Sequence, residues 1–394
     1  MARVKALNLP TLFNWLRTGI RFDRNELSGA FGDIGTDFVL VTSMILVAHL
    51  DVASALSMFG GMQILSGLLY RLPMPVQPLK AMAVIVITQK LSGNILYGGG
   101  LAIGIVMLFL TITGLVNWIS RVVPKSVVRG IQLGLGLQLV SLALKDYVQA
   151  GGISGYILAA AGFILTLFLV GNRKYPPAIF VILLGVIYAL VFKLHLTTSA
   201  WGVGLNLPQF RTPALPDVLT GLVVLALPQI SLSIGNSVLA TRQVIRDLFP
   251  LRSVSVRKIS LTYSLMNLVN PFFGGVPTCH GSGGMVGHYT FGARTGGSVI
   301  IYGLLYLILG IFLSSSFAEV VQIFPKPILG VILAFEGLAL MGLVRDMADS
   351  STNFILVLLV GVIAFALPYG YLLGLVVGTV LAYLLNRRLT GLVN

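Results

Sequence analysis

Residues 274–290 read Gly274-Gly-Val-Pro-Thr-Cys-His-Gly-Ser-Gly-Gly284-Met-Val-Gly-His-Tyr-Thr290. Pro277 removes a backbone donor and biases the residue before it toward extended geometry. The segment behind it, 279–290, is apolar but far shorter than the ~20 residues a helix needs to cross a hydrocarbon core. The stretch therefore reads as a short strand running into a half-helix. A second stretch has the same design: Pro73-Met-Pro-Val-Gln-Pro78 leads into the short segment 79–90. The two lie about 200 residues apart.

Around them the chain is almost continuously apolar. Of 394 residues, 56% are hydrophobic and 10% charged, and the mean hydropathy is +0.96. In lipid every backbone polar group needs an internal partner, so helices or closed barrels remain. The runs are long and do not alternate, which excludes a barrel. The chain is expected to be an all-α polytopic membrane protein with fourteen segments: 28–49, 52–70, 79–90, 98–120, 126–144, 152–171, 176–192, 217–240, 258–272, 279–290, 297–317, 326–344, 352–367 and 371–386. Segments 3 and 10 are the half-helices.

The spacing of the half-helices points to an internal repeat. Asp33-Ile-Gly-Thr36 matches Ser233-Ile-Gly-Asn236 at an offset of 200, and Val123-Pro-Lys125 and Gly136-Leu137 match Phe324-Pro-Lys326 and Gly337-Leu338 at 201. Each half holds seven segments, an odd number, so the second half must lie upside down relative to the first. Inverted repeats with paired broken helices point to a transporter site near the midplane. The division is then 1–27, a cytoplasmic N-terminal segment; 28–192, the first repeat; 193–216, an extracytoplasmic loop; 217–386, the second repeat; and 387–394, a cytoplasmic tail.

The formal charge of +14 points to topology rather than nucleic acid. Threading the spans from an inside N-terminus leaves Lys90, Lys145, Lys193, Arg211 and Lys326 outside and Lys80 within the membrane. The remaining 20 of 26 Lys and Arg are cytoplasmic. Both termini are thus expected inside. The only cysteine, Cys279, excludes an intrachain disulfide. Residues 1–22 lack a signal-peptide pattern, and 12–22 read as an amphipathic helix on the inner membrane surface.

Two half-helix N-termini near the midplane present free N–H groups and partial positive charge, an arrangement suited to an anion. Around the second, Gly281, Gly283 and Gly284 let an oxyanion approach the backbone. Thr278, Ser282 and His280 supply donors. Before the first, Gln77 offers an amide, and Lys80 stands in its first turn. Gln229, Ser233 and Asn236 share a helix face in segment 8, opposite Thr36 in segment 1. Asp33, Asp37 and Glu336 are ionisable groups inside spans and candidates for coupling a proton or sodium ion; Asp33 is alternatively a partner of Lys80. For the glycines the plain alternative is close helix packing, and for the polar residues helix–helix hydrogen bonding. His280, His288 and Cys279 lack metal-ligand spacing, and no phosphate loop is present, so neither metal nor cofactor is expected.

These blocks resemble the molybdate transporter family, distant relatives of the sulfate permeases (SulP). The residues that carry the resemblance are Glu26-Leu-Ser-Gly-Ala-Phe-Gly-Asp-Ile-Gly-Thr36, Pro73-Met-Pro-Val-Gln-Pro-Leu-Lys80, Leu227-Pro-Gln-Ile-Ser-Leu-Ser-Ile-Gly-Asn-Ser-Val-Leu239, and Pro277-Thr-Cys-His-Gly-Ser-Gly-Gly-Met-Val-Gly287 with Phe291-Gly-Ala-Arg-Thr-Gly296. The resemblance implies a core domain (28–122 plus 217–317) that holds substrate between segments 3 and 10. It also implies a gate domain (123–192 plus 324–386) and elevator-like movement of one against the other. Sulfate permeases usually continue into a cytoplasmic STAS domain, whereas this chain ends eight residues past its last expected span. Asp37 and the position of Glu336 depart from the family pattern.

The expected function is secondary active transport of molybdate or a similar tetrahedral oxyanion across the plasma or inner membrane, coupled to a proton or sodium ion, with a homodimer as the candidate assembly. Sulfate transport and an anion channel of the same fold are the alternatives. An intramembrane enzyme would need a nucleophile–base pair that these residues do not supply.

Overall fold

The computed structural model describes residues 19–116, 118, 122–169, 177–192, 202–317 and 324–391. Most of the expected surface helix at 12–22, the first part of the 193–216 loop and the last three residues of the tail lie outside them.

The chain begins with α1 (Arg24–Ala30) and α2 (Ile34–Ala48). One continuous helix over 28–49 was the expectation, but a turn at residues 31–33 interrupts it. The cause is a backbone-to-backbone approach, since a Cβ on Gly32 would meet the main chain of Gly287 and His288. Next come α3 (Val52–Tyr70), β1 (Val76–Pro78), the ten-residue α4 (Lys80–Gln89) and α5 (Gly93–Ile112). Helix α6 (Lys125–Leu142) runs on through a π turn to Tyr147 and is followed by α7 (Gly152–Leu169) and α8 (Pro177–Phe192).

The second half opens with α9 (Leu215–Gly221), α10 (Leu227–Leu232) and α11 (Thr241–Leu248), joined by π segments at Leu222–Ala226 and Ser233–Ala240. This run bends by 49° and extends to Leu248, past the expected end at 240. The extension is polar, with Gln243 donating to Asp247 one turn on at 2.8 Å, so hydropathy alone misses it. Then follow α12 (Val256–Val269), β2 (Thr278–His280), the nine-residue α13 (Ser282–Thr290) and α14 (Gly297–Phe312). The described chain closes with α15 (Lys326–Gly342), α16 (Ser351–Ala366) and α17 (Gly370–Gly391).

Among the described residues, five helices are long and apolar enough to cross a membrane alone, and the bent 215–248 run makes a sixth. Large apolar side chains such as Ile112, Ile153, Phe168 and Val362 point outward. In water they would form a costly patch, but facing acyl chains they are matched to their surroundings. Helix α3 packs on α14, α12 on α5, and α6 on both α15 and α16. At the α6–α15 contact a Cβ on Gly136 would meet the carbonyl of Gly337, and one on Gly337 the carbonyl of Gly136. Small residues of this kind let backbones approach closely where lipid supplies no hydrophobic drive. Asp346 ties the two ends of that pair together, accepting from Lys125 at 2.8 Å and from Arg129 at 2.5 Å.

Candidate functional site

The site is organised by a two-stranded ribbon. β1 and β2 pair antiparallel, with Val76 opposite His280, Gln77 opposite Cys279 and Pro78 opposite Thr278. A ribbon buried among helices has two outer edges whose N–H and C=O groups need partners. Carboxamides from neighbouring helices provide them. Gln63 of α3 donates to the Val76 carbonyl at 2.6 Å and accepts from its N–H at 2.8 Å. Asn267 of α12 does the same for Thr278, at 2.6 and 2.9 Å. One turn farther, Ser66 donates to the Met74 carbonyl at 2.6 Å and Asn270 to that of Val276 at 2.9 Å.

Side chains alternate along a strand. Gln77 and Cys279, directly opposed, both line a cavity of about 230 Å³. Thr278 and His280 face the other way. The Thr278 hydroxyl accepts from Asn270 at 3.1 Å, and Thr278 is not part of the cavity wall. His280 borders the cavity, but its ring is turned elsewhere. Its Nε2 lies 2.8 Å from the Thr262 hydroxyl, and the ring packs edge-to-face on Tyr70. The expectation that both side chains donate toward the ligand therefore conflicts with this arrangement, because strand pleating sends them toward α12 and α3.

The two short helices start at the same cavity but differ at their first turns. At α4 the Gln229 oxygen accepts from the N–H groups of Ala81 (3.0 Å) and Met82 (3.3 Å). The Gln229 nitrogen donates to Ser233 at 3.1 Å, and that hydroxyl meets Tyr263 at 2.6 Å. Gln229 is thus a helix cap rather than a free donor. At α13 the N-cap is Gly281, which has no side chain to close the turn. A Cβ on Gly281 would strike the Gln77 side chain, and one on Gly284 the Asp33 carboxylate, whereas Gly283 faces open space.

Lys80, Asn236, Gly281, Ser282 and Gly283 line the cavity with Gln77 and Gln229. Asn236 sits in the π segment 233–240, an irregularity common at functional sites. Asp33 stands behind this layer, where its carboxylate accepts from Gln77 Nε2 at 2.5 Å. Thr36 and Asp37 lie in α2, outside the wall, with Asp37 fully buried. Glu336 lies in α15, and its side chain is outside the described residues.

Gln132 of α6, Ser237 and Cys279 also line the cavity, and none was anticipated as a ligand-facing residue. Gln132 carried one usable signal, a carboxamide in an otherwise apolar stretch. Glu26 opens the block 26–36. It accepts from the N–H groups of Arg294 (2.9 Å), Thr295 (2.8 Å) and Ser298 (2.9 Å), so it caps α14 with a buried carboxylate.

Among the described residues no carboxylate lines the cavity. Its polar wall consists of carboxamides, hydroxyls, a helix N-terminus and one ammonium group. Such a wall suits an anion that exchanges water for fixed donors. Among the described residues no cluster of three or more His, Cys, Asp or Glu is placed to hold a metal.

A family model described as "Molybdate transporter of MFS superfamily" matches residues 25–139 and 221–340. Two Arabidopsis thaliana proteins are similar over most of their length. Molybdate transporter 2 is 31% identical across 87% of this chain and 84% of its own. Molybdate transporter 1 is 30% identical across 96% and 92%. Among solved structures, the transmembrane domain of a cyanobacterium bicarbonate transporter, BicA, superposes with a TM-score of 0.62 at 17% identity, covering 88% of this chain and 98% of that one. The murine Slc26a9 anion transporter in the inward-facing state gives 0.69 at 13% identity, covering 99% and 74%. At these identities the structural likeness concerns the fold.

Proposed function

We propose a function from one premise: this chain belongs to the molybdate transporter family. It is an integral membrane protein with the fold of the SulP/SLC26 transporters, and its relatives are transporters rather than enzymes. Our reading is secondary active transport of molybdate. The observation that carries it is the cavity at the head of α13, where a glycine-lined helix N-terminus and Lys80 meet neutral donors and, among the described residues, no carboxylate reaches the wall. The dianion would be held by the first-turn N–H groups of Ser282 and Gly283, the Ser282 hydroxyl, Asn236, and the Gln77 hydrogen not given to Asp33.

The inverted repeat of seven plus seven segments (28–192 and 217–386) is part of this reading, with 80–89 and 282–290 as its half-helices. Its support is in matched hydrogen bonds. Val76 and Met74 correspond to Thr278 and Val276 at an offset of 202, and their partners Gln63 and Ser66 to Asn267 and Asn270 at 204. Gly136 and Gly337, which approach each other reciprocally, then lie at the axis between the halves. The cavity lies between elements of the proposed core (28–122 plus 217–317) and gate (123–192 plus 324–386), as elevator-like movement requires. The charge asymmetry supports cytoplasmic termini. On that assignment, a second cavity of about 320 Å³, sharing Gln132 and Asn236 with the first, leads toward the cytoplasm past Lys125 and Arg129. On the opposite side Thr88 donates to Gln138 at 2.9 Å, joining core to gate. Asp33, one layer behind the ligand, is the first choice for binding a co-transported proton or sodium ion, with Asp37 second.

Proteoliposome uptake of labelled molybdate tests this, with tungstate and sulfate as competitors and with proton or sodium gradients imposed in turn. Saturable uptake blocked by tungstate and raised by internal unlabelled molybdate is expected. Molybdate that neither enters nor binds at micromolar concentration would sink the substrate assignment, and uptake without counterflow stimulation would replace the carrier by a channel.

A further inference from the structure

Gln132 is almost completely buried, yet it borders both the site cavity and the adjoining 320 Å³ cavity, and Asn236 is the one other residue common to the two. These two carboxamides therefore form the neck between them. Gln132 comes from α6, on the wall opposite the ribbon and the α13 N-terminus.

Its orientation is set by chemistry. Arg129 Nη1 donates to Gln132 Oε1 at 2.8 Å. Arginine has donors only, so the carboxamide must turn its oxygen to it, which removes the usual ambiguity between amide oxygen and nitrogen. The NH2 group then points away from Arg129. Arg129 is itself fixed. Its Nε lies 3.0 and 3.1 Å from the two Asp346 oxygens and its Nη2 2.5 Å from Oδ2, a fork matched to a carboxylate. Lys125 holds the same carboxylate at 2.8 Å. No described residue accepts a bond from the Gln132 nitrogen.

We infer that Gln132 donates to the bound oxyanion from the wall opposite the α13 N-terminus, and that Arg129 and Asp346 are positioning residues that hold it in the donating orientation. This assignment rests on the proposed molybdate site. It makes the gate side a participant in binding rather than a passive wall. It also means that the ligand's contacts change whenever α6 and α13 move relative to each other.

Molybdate titration of the purified full-length protein by calorimetry, with the ligand-free melting temperature measured alongside, tests the inference. Gln132→Met keeps the volume and removes the amide, and should weaken binding roughly tenfold, as expected for a lost hydrogen bond to a charged group, with little change in melting temperature. Gln132→Glu stays paired with Arg129 but turns an acceptor toward the dianion, and should weaken it further. Arg129→Met should weaken binding less than Gln132→Met, and the double variant no more than Gln132→Met alone, because both changes remove one interaction. A folded Gln132→Met protein that binds molybdate within about twofold of wild type overturns the assignment. Additive losses in the double variant overturn the positioning role of Arg129. A wild-type protein that binds neither molybdate nor tungstate overturns the functional reading itself, and this assignment with it.

Discussion

Two short helices, α4 and α13, begin at one cavity behind matched strands, yet they end up with opposite roles. The first turn of α4 is closed by the Gln229 side chain, while that of α13 starts on Gly281 and is left to the cavity. Under the proposed inverted repeat, two related segments therefore carry an unsymmetrical site. One helix terminus supplies structure, and the other supplies the free donors and partial charge that an anion needs. The difference comes from a residue about 150 positions away from α4, which its own strand–helix segment does not encode.

The largest expected effect falls on the open terminus. Gly284→Ala places a methyl group on the Asp33 carboxylate and the Pro75 ring. Overpacking of this kind costs about 1–3 kcal/mol and shifts the backbone, so molybdate uptake in proteoliposomes should be nearly abolished. Gly283→Ala, whose methyl enters open space, should leave a folded protein with partial uptake. Equal loss from both would remove the steric argument.

Gln229→Ala breaks the closed terminus. Two buried N–H groups lose their acceptor, at about 1–3 kcal/mol, so the melting temperature should drop by several degrees more than with Gly283→Ala or Ser282→Ala. An unchanged melting temperature would mean that Gln229 is not the cap. Ser282→Ala removes one hydroxyl at the open terminus and should weaken molybdate binding by roughly tenfold or less without a stability change. The smallest effect on binding is expected from Thr278→Val. That hydroxyl faces Asn270, so stability should fall by about 1 kcal/mol while the molybdate dissociation constant stays put. A binding loss larger than that of Ser282→Ala would return Thr278 to the ligand shell.

Several of these outcomes were readable from local pattern. Pro73 to Pro78 and Pro277 mark extended chain before a short helix because proline cannot donate and restricts its neighbour. Glycines at 281 and 284 mark close approaches, to Gln77 and Asp33. Strand alternation, applied to Thr278-Cys-His280, separates Cys279 from its neighbours. Other features had no local signature. The turn at residues 31–33 depends on α13 lying against Gly32. Glu26 as the cap of α14, Gln63 and Asn267 as edge partners of the ribbon, and Gln132 as a neck residue each depend on a partner that sits elsewhere in the chain.

The membrane, the helices, the two interrupted segments and the expectation of an anion follow from the amino-acid order, because apolar length, proline geometry and glycine act over a few residues. Which terminus stays open, which strand side chains line the cavity and which carboxamides border its neck are settled by packing. A side chain's hydrogen-bond capacity is finite, and only the neighbours brought together by folding determine where it is used.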